Sequence, residues 1–537
     1  MTRLKPILLN SVPRILSLLD KNPCSPTFGS FDRKYWHYKI LDFPCGMQQE
    51  LVRPLGYIWS NNFPGNRFYK NERIREYLEA AFRYHKCCSH ADGSLDDYFP
   101  FERAFGATAY ALASLTETAI ETGLCTPAVF PSFEASAKFL AEYREAGKLS
   151  NHLAIAACAL ANLHALTGHN RWKDESARLL SELYSVQRSE GWFPEYEGCD
   201  LGYQTVTIEF LARRYMRDPA PELFESIRRC IAFVRAHVHP DGSLGGEYCS
   251  RNTYNFYPGG FALMSASVTE AAEAYSLFFK GLTEGTCNYL EDDGVFGHLL
   301  SSYVTALKAP DARFQTPGPE DRNGKKPVLK YWEESGFFTG TTGALKITGS
   351  GGKGGVYKVF SGDRLVWSDT GFAGELADGS AFFQNKPHIS TITRKGPNFI
   401  SIAGRLQKFT SKRLTRAQMI ALRLFSLLFG RYRNSSNIIR FIMQKLLIYN
   451  RTDVPFSFTR EISLEPGCIT VNDNIIPDNK SAEIRVLYRS TDCVNMHVIT
   501  SDSFQGANLL AWEKLDPPLQ EQSASFKKIF LEEINNE

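Results

Sequence analysis

Side chains that could move protons or hold a negative charge are concentrated in four short segments of the chain. These segments are residues 96–103, 150–152, 190–203 and 246–255. They combine tyrosine and histidine, which can act as general acids or bases, with arginine and asparagine, which can stabilise a developing oxyanion. The segment 190–203 is the richest of them and ends on Tyr203. We expect the four segments to converge on one cleft.

The elements that must position these segments are predicted helices within the first 300 residues. Apolar residues recur there at helical spacing in the stretches 104–122, 151–167, 175–188 and 222–238. Glycine-containing turns punctuate the region at intervals of about 50 residues, at Gly93, Gly147, Gly191, Gly242 and Gly294. Such an interval holds two helices and two turns, which indicates a repeated helical hairpin. Five or six hairpins can close into a ring, so we predict an (α/α) toroid over residues 1–310; an irregular helical domain is the alternative.

The character of the sequence changes after Pro310. Residues 311–330 are rich in proline, glycine and charge, which is typical of a linker. Short runs with period-two alternation follow, at 344–347, 356–360, 365–368, 388–393, 399–403 and 483–488. Such runs with frequent turns favour an antiparallel β-sandwich over residues 331–537. The predicted fold class is therefore α+β and multidomain, with the toroid first and the sandwich second.

One stretch of the predicted sandwich departs from this pattern. No acidic residue occurs between Asp378 and Asp453, whereas lysine and arginine are frequent. Residues 411–449 have the pattern of a basic amphipathic helical insertion, with leucine, isoleucine, phenylalanine and methionine on one side. Three interpretations stay open: a solvated face of the sandwich, a platform for an acidic polymer, and a contact with a membrane surface or a partner protein.

Composition excludes several classes of protein. With 537 residues, 43% of them hydrophobic, the chain can bury large cores, and this excludes disordered and collagen-like proteins. The net charge of +3 gives no reason to expect a nucleic acid partner. The aromatic content of 13% suits a groove in which sugar rings stack.

The compartment is predicted from the N-terminus and the cysteines. Prolines and Arg14 interrupt the apolar run of residues 1–20, which disfavours a signal peptide. No stretch of 18 uncharged apolar residues occurs. The 12 cysteines are scattered and lack metal-ligand spacing, so we expect buried reduced thiols and no zinc. These features predict a cytoplasmic protein, at the membrane surface if the insertion binds there, and no motif requires a cofactor.

Three motifs carry a family resemblance. Asn151-His152 begins a predicted helix that ends near Gly168, and residues 191–195 begin a glycine–aromatic loop that leads to Tyr203. In the second domain, His388 stands in the run Pro-His-Ile-Ser-Thr-Ile. In these features and in domain order, the chain resembles the heparinase II/III-like polysaccharide lyases, including the alginate lyases of that architecture. The resemblance implies a lyase that cleaves an acidic, uronate-containing polysaccharide by β-elimination.

The resemblance also implies roles for particular residues. Asn151, His152 and Tyr203 correspond to the catalytic positions. The residues expected to bind substrate are Arg103, Trp192, Glu195, Arg251, Asn252, Tyr254, Lys353 and His388. Where family members usually have a histidine-rich turn, this chain has Gly-Ser-Gly-Gly-Lys-Gly-Gly at 349–355. Either Lys353 replaces the missing histidine, or the activity differs, or the lyase is degenerate.

The chemistry of β-elimination sets a requirement for Tyr203. The proton to be removed is weakly acidic, because its loss builds a second negative charge beside the carboxylate, which Asn151, His152 or Arg251 could stabilise. Tyr203 could act as base, as acid for the leaving oxygen, or as both. Since the ordinary pKa of tyrosine is about 10, a base role requires nearby positive charge, for which Arg103, Arg251 and Lys353 are available.

Structural interpretations and other functions compete with this hypothesis. Asn151 could be a simple helix cap, Tyr203 a core tyrosine, and Arg103 a member of an ion network with nearby acids. A second hypothesis is a glycoside hydrolase on the same toroid, in which a pair of carboxylates drawn from Glu102, Glu195 and Asp200 supplies acid and base. A third is a non-catalytic protein that binds polysaccharide during its assembly.

Overall fold

The computed structural model describes most of the chain. The described residues are 3–143, 149–196, 198–287, 290, 295–315, 326–409, 415–430, 432, 437–438, 451–479, 482–491, 510–518 and 522–532. Gly147 and Gly294 of the predicted glycine repeat lie outside them, as do residues 316–325 of the predicted linker. Of the predicted insertion 411–449, only residues 415–430, 432 and 437–438 are described.

The N-terminal part of the chain is a closed ring of helices. Its helices are α1 (Leu4–Leu18), α2 (Arg33–Trp36), α3 (Val52–Ser60), α4 (Glu72–Cys88), α5 (Phe105–Thr122), α6 (Phe130–Glu142), α7 (Ser150–Thr167), α8 (Asn170–Val186), α9 (Leu201–Arg217), α10 (Pro221–His237), α11 (Gly259–Met264), α12 (Thr269–Glu284) and α13 (Phe296–Leu307). The odd-numbered helices from α3 to α13 each contact the next, and α13 contacts α3. This inner ring, with α4, α6, α8, α10 and α12 outside it, is the predicted (α/α) toroid, and the fold class is confirmed.

Two of the predicted glycine turns show why glycine stands in them. Gly93 and Gly242 have φ values of +83° and +82°, a left-handed region that favours glycine. A Cβ atom on Gly93 would lie 2.4 Å from the carbonyl oxygen of Ala135, and one on Gly242 would lie 2.2 Å from that of Leu277. Both turns therefore lie directly against an outer helix, which explains the recurrence of glycine along the sequence.

The C-terminal part consists of two antiparallel sheets. Its strands are β1 (Val328–Tyr331), β2 (Phe337–Thr342), β3 (Leu345–Ser350), β4 (Val356–Ser361), β5 (Arg364–Asp369), β6 (Phe372–Leu376), β7 (Ala381–Phe383), β8 (Ser390–Gly396), β9 (Phe399–Lys408), β10 (Asp453–Glu465), β11 (Cys468–Pro477), β12 (Ile484–Arg489), β13 (Glu513–Leu515) and β14 (Ala524–Leu531). The first sheet has the order β1-β2-β3-β4-β5. The second has the order β13-β12-β6-β7-β9-β10-β11-β14, with β8 also paired to β9. Helix α14 (Arg416–Phe429) follows β9.

The sandwich packs against the toroid through a shared apolar core. Trp332, Phe337 and Val356 of the sandwich belong to the same buried cluster as the toroid helices. The ring of Phe337 stacks on Phe233 of α10 at 6.3 Å between centroids, and Trp332 lies 4.4 Å from the ring of His237. Apolar burial of this kind holds two domains in a fixed arrangement. The domain boundaries at 310 and 331 stay a prediction.

Two buried histidines make the stability of this fold sensitive to acid. Burial lowers the pKa of His237 to about 3 and that of His85 to about 4, from an ordinary value of 6.5. As the pH falls below about 6.5, the unfolded chain binds protons at these positions before the folded chain does, so the free energy of unfolding should decrease down to about pH 4. Urea unfolding at a series of pH values measures this, and His85→Gln should make the dependence shallower. An unchanged slope in that variant would contradict the prediction.

Candidate active site

The predicted loop segments meet at the starts of the inner helices. The backbone N–H of Asn151, in the first turn of α7, donates to Glu195 Oε1 at 2.8 Å, which joins the second and third segments. The backbone N–H of Arg251 donates to Asp200 Oδ2 at 2.9 Å, which joins the third and fourth. The ring of His152 stacks on Phe105, the first residue of α5, which follows the first segment, residues 96–103, closely in the chain. The expected convergence of the loops is therefore observed.

Asn151 offers a buried amide at this junction. Ser150 anchors the start of α7 by donating from Oγ to the carbonyl of Pro194 at 2.7 Å. The Oδ1 atom of Asn151 is buried and has no hydrogen-bond partner among the residues that the structure describes. Because the two ends of an amide exchange by a flip, this end of the side chain can accept a hydrogen bond or donate one. A buried polar atom without a hydrogen-bond partner is suited to bind a ligand.

His152 lies beside Asn151 in a pocket that only glycine permits. Its ring is half-buried and stacks on Phe105 with 6.4 Å between ring centroids and an interplanar angle of 22°. A Cβ atom on Gly106 would lie 2.6 Å from His152 Nε2. Any larger residue at position 106 would therefore displace the imidazole from its present position.

Asp200 organises the Tyr203 side of the site. It caps α9 by accepting from the backbone N–H of Tyr203 at 3.3 Å. It also accepts from the backbone N–H of Arg251 and from the hydroxyl of Thr253. Burial raises the pKa of this carboxyl, and the bonds from Thr253 and Arg251 oppose the shift. Asp200 therefore holds the helix start and the 251–253 loop together, which is a positioning role.

Asp200→Ala should test this positioning role. The change removes a helix cap and three hydrogen bonds, and loss of an N-cap alone costs about 0.5–2 kcal/mol. We expect lower stability together with a loss of ligand affinity, because the loop that carries Arg251 is released. Thermal unfolding and binding measurements check the two effects. The matched control is Asp378→Ala, which removes an exposed aspartate that caps an isolated turn at Ser380 and should change neither.

The environment of Tyr203 favours its protonated form. Burial raises the pKa of the Tyr203 phenol above its ordinary value of 10, and the guanidinium of Arg251 opposes this shift only in part. Tyr196, Asp200 and Glu195 raise the pKa further. The positive charge that a base role requires is thus outweighed by desolvation and nearby acidic groups. The phenol of Tyr203 therefore holds its proton at neutral pH.

Arg251 is the cation of the site. Its guanidinium lies over the ring of Tyr196 at 4.1 Å from the centroid, and its side chain is buried. Its Nε atom has no hydrogen-bond partner within the described ranges of the chain. Arginine presents several donors in a fixed plane, which suits a carboxylate. The observed arrangement can therefore bind an acidic group next to Tyr203.

Lys353, the expected substitute for the missing histidine, contacts the loop of Arg251. Its buried Nζ donates to the carbonyl of Cys249 and to Oδ1 of Asn252. Tyr254 is likewise buried, with its hydroxyl donating to Glu247 and accepting from Lys358 at 3.2 Å. Lys353, Asn252 and Tyr254, which the sequence assigned to substrate, thus join the sandwich to the 246–255 loop.

Three further predicted residues are buried and have partners within the toroid. Trp192 is buried, with Nε1 donating to Glu190 at 3.0 Å. Arg103 is buried and forms an ion pair with Asp92 at 2.5 Å. Glu195 is buried and caps α7.

His388 is exposed in a turn with φ +60°. This turn precedes β8, which begins at Ser390, so His388 lies before the strand that the sequence pattern assigned to it. The sequence prediction was wrong about this placement, because the alternating pattern extends two residues beyond the paired strand.

The sequence reasoning missed a second polar group at the floor of the ring. A small cavity with room for about one water is lined by Glu50, Tyr110, Val206, Glu209, Phe210, Tyr257 and His298. Glu50 pairs with His298, and Oε2 of Glu209 has no hydrogen-bond partner among the described residues. Burial raises the pKa of Tyr110, and Tyr257, Glu50 and Tyr203 add to this effect, so the cavity is close to the Tyr203 side of the site. The sequence signal that could have indicated this polar group is a glutamate, Glu209, inside an apolar helical stretch.

Within the described ranges, no group of three or more histidine, cysteine, aspartate or glutamate residues is arranged to hold a metal ion. No helix among these residues has the length and apolar character needed to cross a bilayer.

Comparisons with known proteins give similarity in structure alone. No family model and no curated protein sequence matches the chain. A xanthan lyase from Paenibacillus is similar with a TM-score of 0.52 at 8% identity, over 91% of this chain and 46% of that chain. Heparinase III is similar with a TM-score of 0.48 at 10% identity, over 84% and 66%. A heparan sulfate lyase from Pedobacter heparinus has a TM-score of 0.44 at 10% identity, over 97% and 82%.

The similarity to the xanthan lyase establishes the architecture. The chain spans about half the length of the xanthan lyase, and at 8% identity the similarity concerns the fold. The xanthan lyase similarity extends over nearly all of this chain, so it includes both the helical ring and the sandwich. The chain therefore has a polysaccharide lyase-like fold, as the resemblance to the heparinase II/III-like lyases implied.

Proposed function

We propose that the protein is a polysaccharide lyase that cleaves an acidic, uronate-containing polysaccharide by β-elimination. The observation that carries this proposal is the pairing of Tyr203, whose pKa is raised by burial, with the buried, incompletely bonded guanidinium of Arg251. One group donates a proton and the other holds a carboxylate, and β-elimination from a uronate needs both. The lyase-like fold is consistent with it.

Arg251 and Asn151 bind the uronate carboxylate in this proposal. When the proton on the adjacent carbon is removed, a second negative charge spreads onto the carboxylate. Donors that are already buried and oriented stabilise this charge without reorganising. In many enzymes such stabilisation is the largest single contribution to the rate enhancement. Arg251 supplies a positive charge. Asn151 supplies a neutral donor, because a flip of its amide places the NH₂ group where Oδ1 has no hydrogen-bond partner among the described residues.

His152 and Tyr203 move the protons. We assign proton abstraction to His152, because histidine is the most frequent general base and this one follows Asn151 directly on α7. The electrons of the broken C–H bond form the C=C bond, and the glycosidic C–O bond breaks. Tyr203 gives its proton to the leaving oxygen, and the proton on His152 then returns to solvent, from which Tyr203 is reprotonated.

The ultraviolet absorbance of unsaturated uronate tests the proposal. The purified protein is incubated with a panel of acidic polysaccharides, and both absorbance and new reducing ends are measured. We expect the two to rise together with at least one polymer. Binding without turnover across the panel would instead favour the polysaccharide-binding hypothesis.

Hydrolysis is the second candidate, and the floor cavity is the observation that favours it. Glu50 and Glu209 line the same cavity, and a pair of carboxylates is the usual machinery of glycoside hydrolysis. The carboxylates considered from the sequence have other tasks, since Glu102, Glu195 and Asp200 each accept hydrogen bonds from backbone N–H groups. Hydrolysis would produce reducing ends without ultraviolet absorbance, and Glu209→Gln would abolish them.

A further inference from the structure

Helix α14 presents an apolar face to solvent. Its residues Ile420, Leu424, Leu427 and Leu428 follow the spacing i, i+4, i+7, i+8 of a single helical stripe, and each is 54–67% exposed. A surface helix of a soluble protein normally has the opposite arrangement, with its apolar stripe against the core. An exposed stripe of this kind marks an interaction surface.

The polar side of α14 fixes the helix to the toroid in this orientation. Ser426 is the buried residue of the helix, and Arg423 pairs with Asp42 at 3.3 Å. At the C-terminal end of the helix, Gly430 lies against Phe101, where a Cβ atom would approach the Phe101 Cβ to 2.5 Å, and its carbonyl accepts from Arg103 Nε at 3.4 Å. The stripe is therefore held outward by contacts on the other side of the helix.

Charge identifies the occupant of this face. The helix has Arg416 and Arg423 and no acidic residue, and its first turn also begins with a capping box at Thr415. In the sequence, no aspartate or glutamate occurs from residue 379 to residue 452. Leucine and isoleucine along one exposed face, on a helix that has arginine and no acidic residue of its own, is the composition of helices that lie in the interface of anionic membranes.

We propose that α14 docks the protein on an anionic lipid surface, with the Ile420–Leu424–Leu428 stripe inserted among the acyl chains. The helix has 14 residues and would lie in the membrane plane. Since Gly430 contacts Phe101 and Arg103, the segment 96–103 of the candidate site lies near the membrane in this position. It follows, on the basis of the proposed function, that the substrate is an acidic polysaccharide held at the membrane surface.

Vesicle flotation with the full-length chain tests the docking. The probes are vesicles of phosphatidylcholine alone and of phosphatidylcholine with phosphatidylglycerol. We expect the protein to float with the anionic vesicles, to float less at high salt, and to lose at least tenfold in binding in the Leu424→Glu/Leu428→Glu variant. Met216→Glu is the matched control, because Met216 is equally exposed on α9 away from the stripe, and it should bind as the wild type does.

Other occupants give different outcomes. Failure of the wild type to bind anionic vesicles, or unchanged binding in the double variant, would overturn the proposal. A dimer by light scattering that the double variant dissociates would assign the face to a second copy of the chain and would also overturn it. Tyr203→Phe should still float, and lyase activity on soluble polymer should survive Leu424→Glu/Leu428→Glu, so failure of docking and failure of the proposed function are distinguishable.

Discussion

Tyr203→Phe is expected to lower kcat for uronate elimination by a factor of about 10²–10⁴, the usual contribution of a general acid or base. The phenyl ring keeps the packing of Tyr203 but has no proton for the leaving oxygen. Because Arg251 and Asn151 remain, binding of the polysaccharide should change little. The measurement is a comparison of kcat and KM from the ultraviolet assay, with a separate binding isotherm.

The control for this change is Tyr275→Phe. Tyr275 is a buried tyrosine of α12 whose hydroxyl has no hydrogen-bond partner among the described residues. Its loss should leave both kcat and KM close to wild type. Full elimination activity in Tyr203→Phe would remove Tyr203 from the chemistry, whereas equal losses in both variants would indicate a general effect on folding. Because the pKa of Tyr203 is raised, we also expect that loss of its proton causes no fall in activity below about pH 10.

Asp369→Ala should have the largest effect on stability. Arg460 is fully buried in the sandwich, where its Nη1 lies 2.9 Å from Asp369 Oδ1 and its Nε lies 2.6 Å from Asp473 Oδ1. Arg489 contacts the same two carboxylates at 3.4 Å and 3.0 Å. Removing Asp369 leaves Arg460 and Arg489 with Asp473 as their shared buried carboxylate, while Arg489 keeps its contact with the partly exposed Glu513 at 2.9 Å. Breaking a buried ion pair in this way costs about 3–5 kcal/mol, which denaturant unfolding measures.

An exposed pair in the second sheet serves as the control for this effect. Arg394 and Glu461 are 2.5 Å apart, with side chains 68% and 38% exposed. Water screens this pair, so Glu461→Ala should cost only about 0–1 kcal/mol. If Asp369→Ala costs no more than Glu461→Ala, the buried network does not contribute to stability as inferred. Asp369→Asn separates charge from shape, because it keeps the side-chain size.

The periodicity of the sequence was sufficient to predict the architecture. The predicted stretch 104–122 is α5, and 151–167 is α7, each within one residue at its start. The run 356–360 is β4. The spacing of apolar residues predicts such helices and strands because each element buries one face. This requirement depends only on the residues of the element itself. The turn glycines could be read for the same reason, since a left-handed φ is a property of one residue.

Local sequence also placed the starts of the helices that bear the site. Asn151-His152 lies in the first turn of α7, and Tyr203 lies in the first turn of α9 after the cap Asp200. A helix start is encoded by a few neighbouring residues, so candidate positions at one end of the ring could be predicted. Their convergence followed from the repeated hairpins.

Only the tertiary structure decided what each candidate can do. Lys353 and Asn252 are about a hundred residues apart in the chain, and their contact joins the sandwich to the loop of Arg251. Burial raises the pKa of Tyr203, because desolvation outweighs the charge of Arg251. Packing also brought Glu50 to His298 and turned the apolar stripe of α14 outward. Residue types and periodicity determined which elements form and which groups are available, whereas charge, burial and partner depend on distances between remote segments, which only the folded chain fixes.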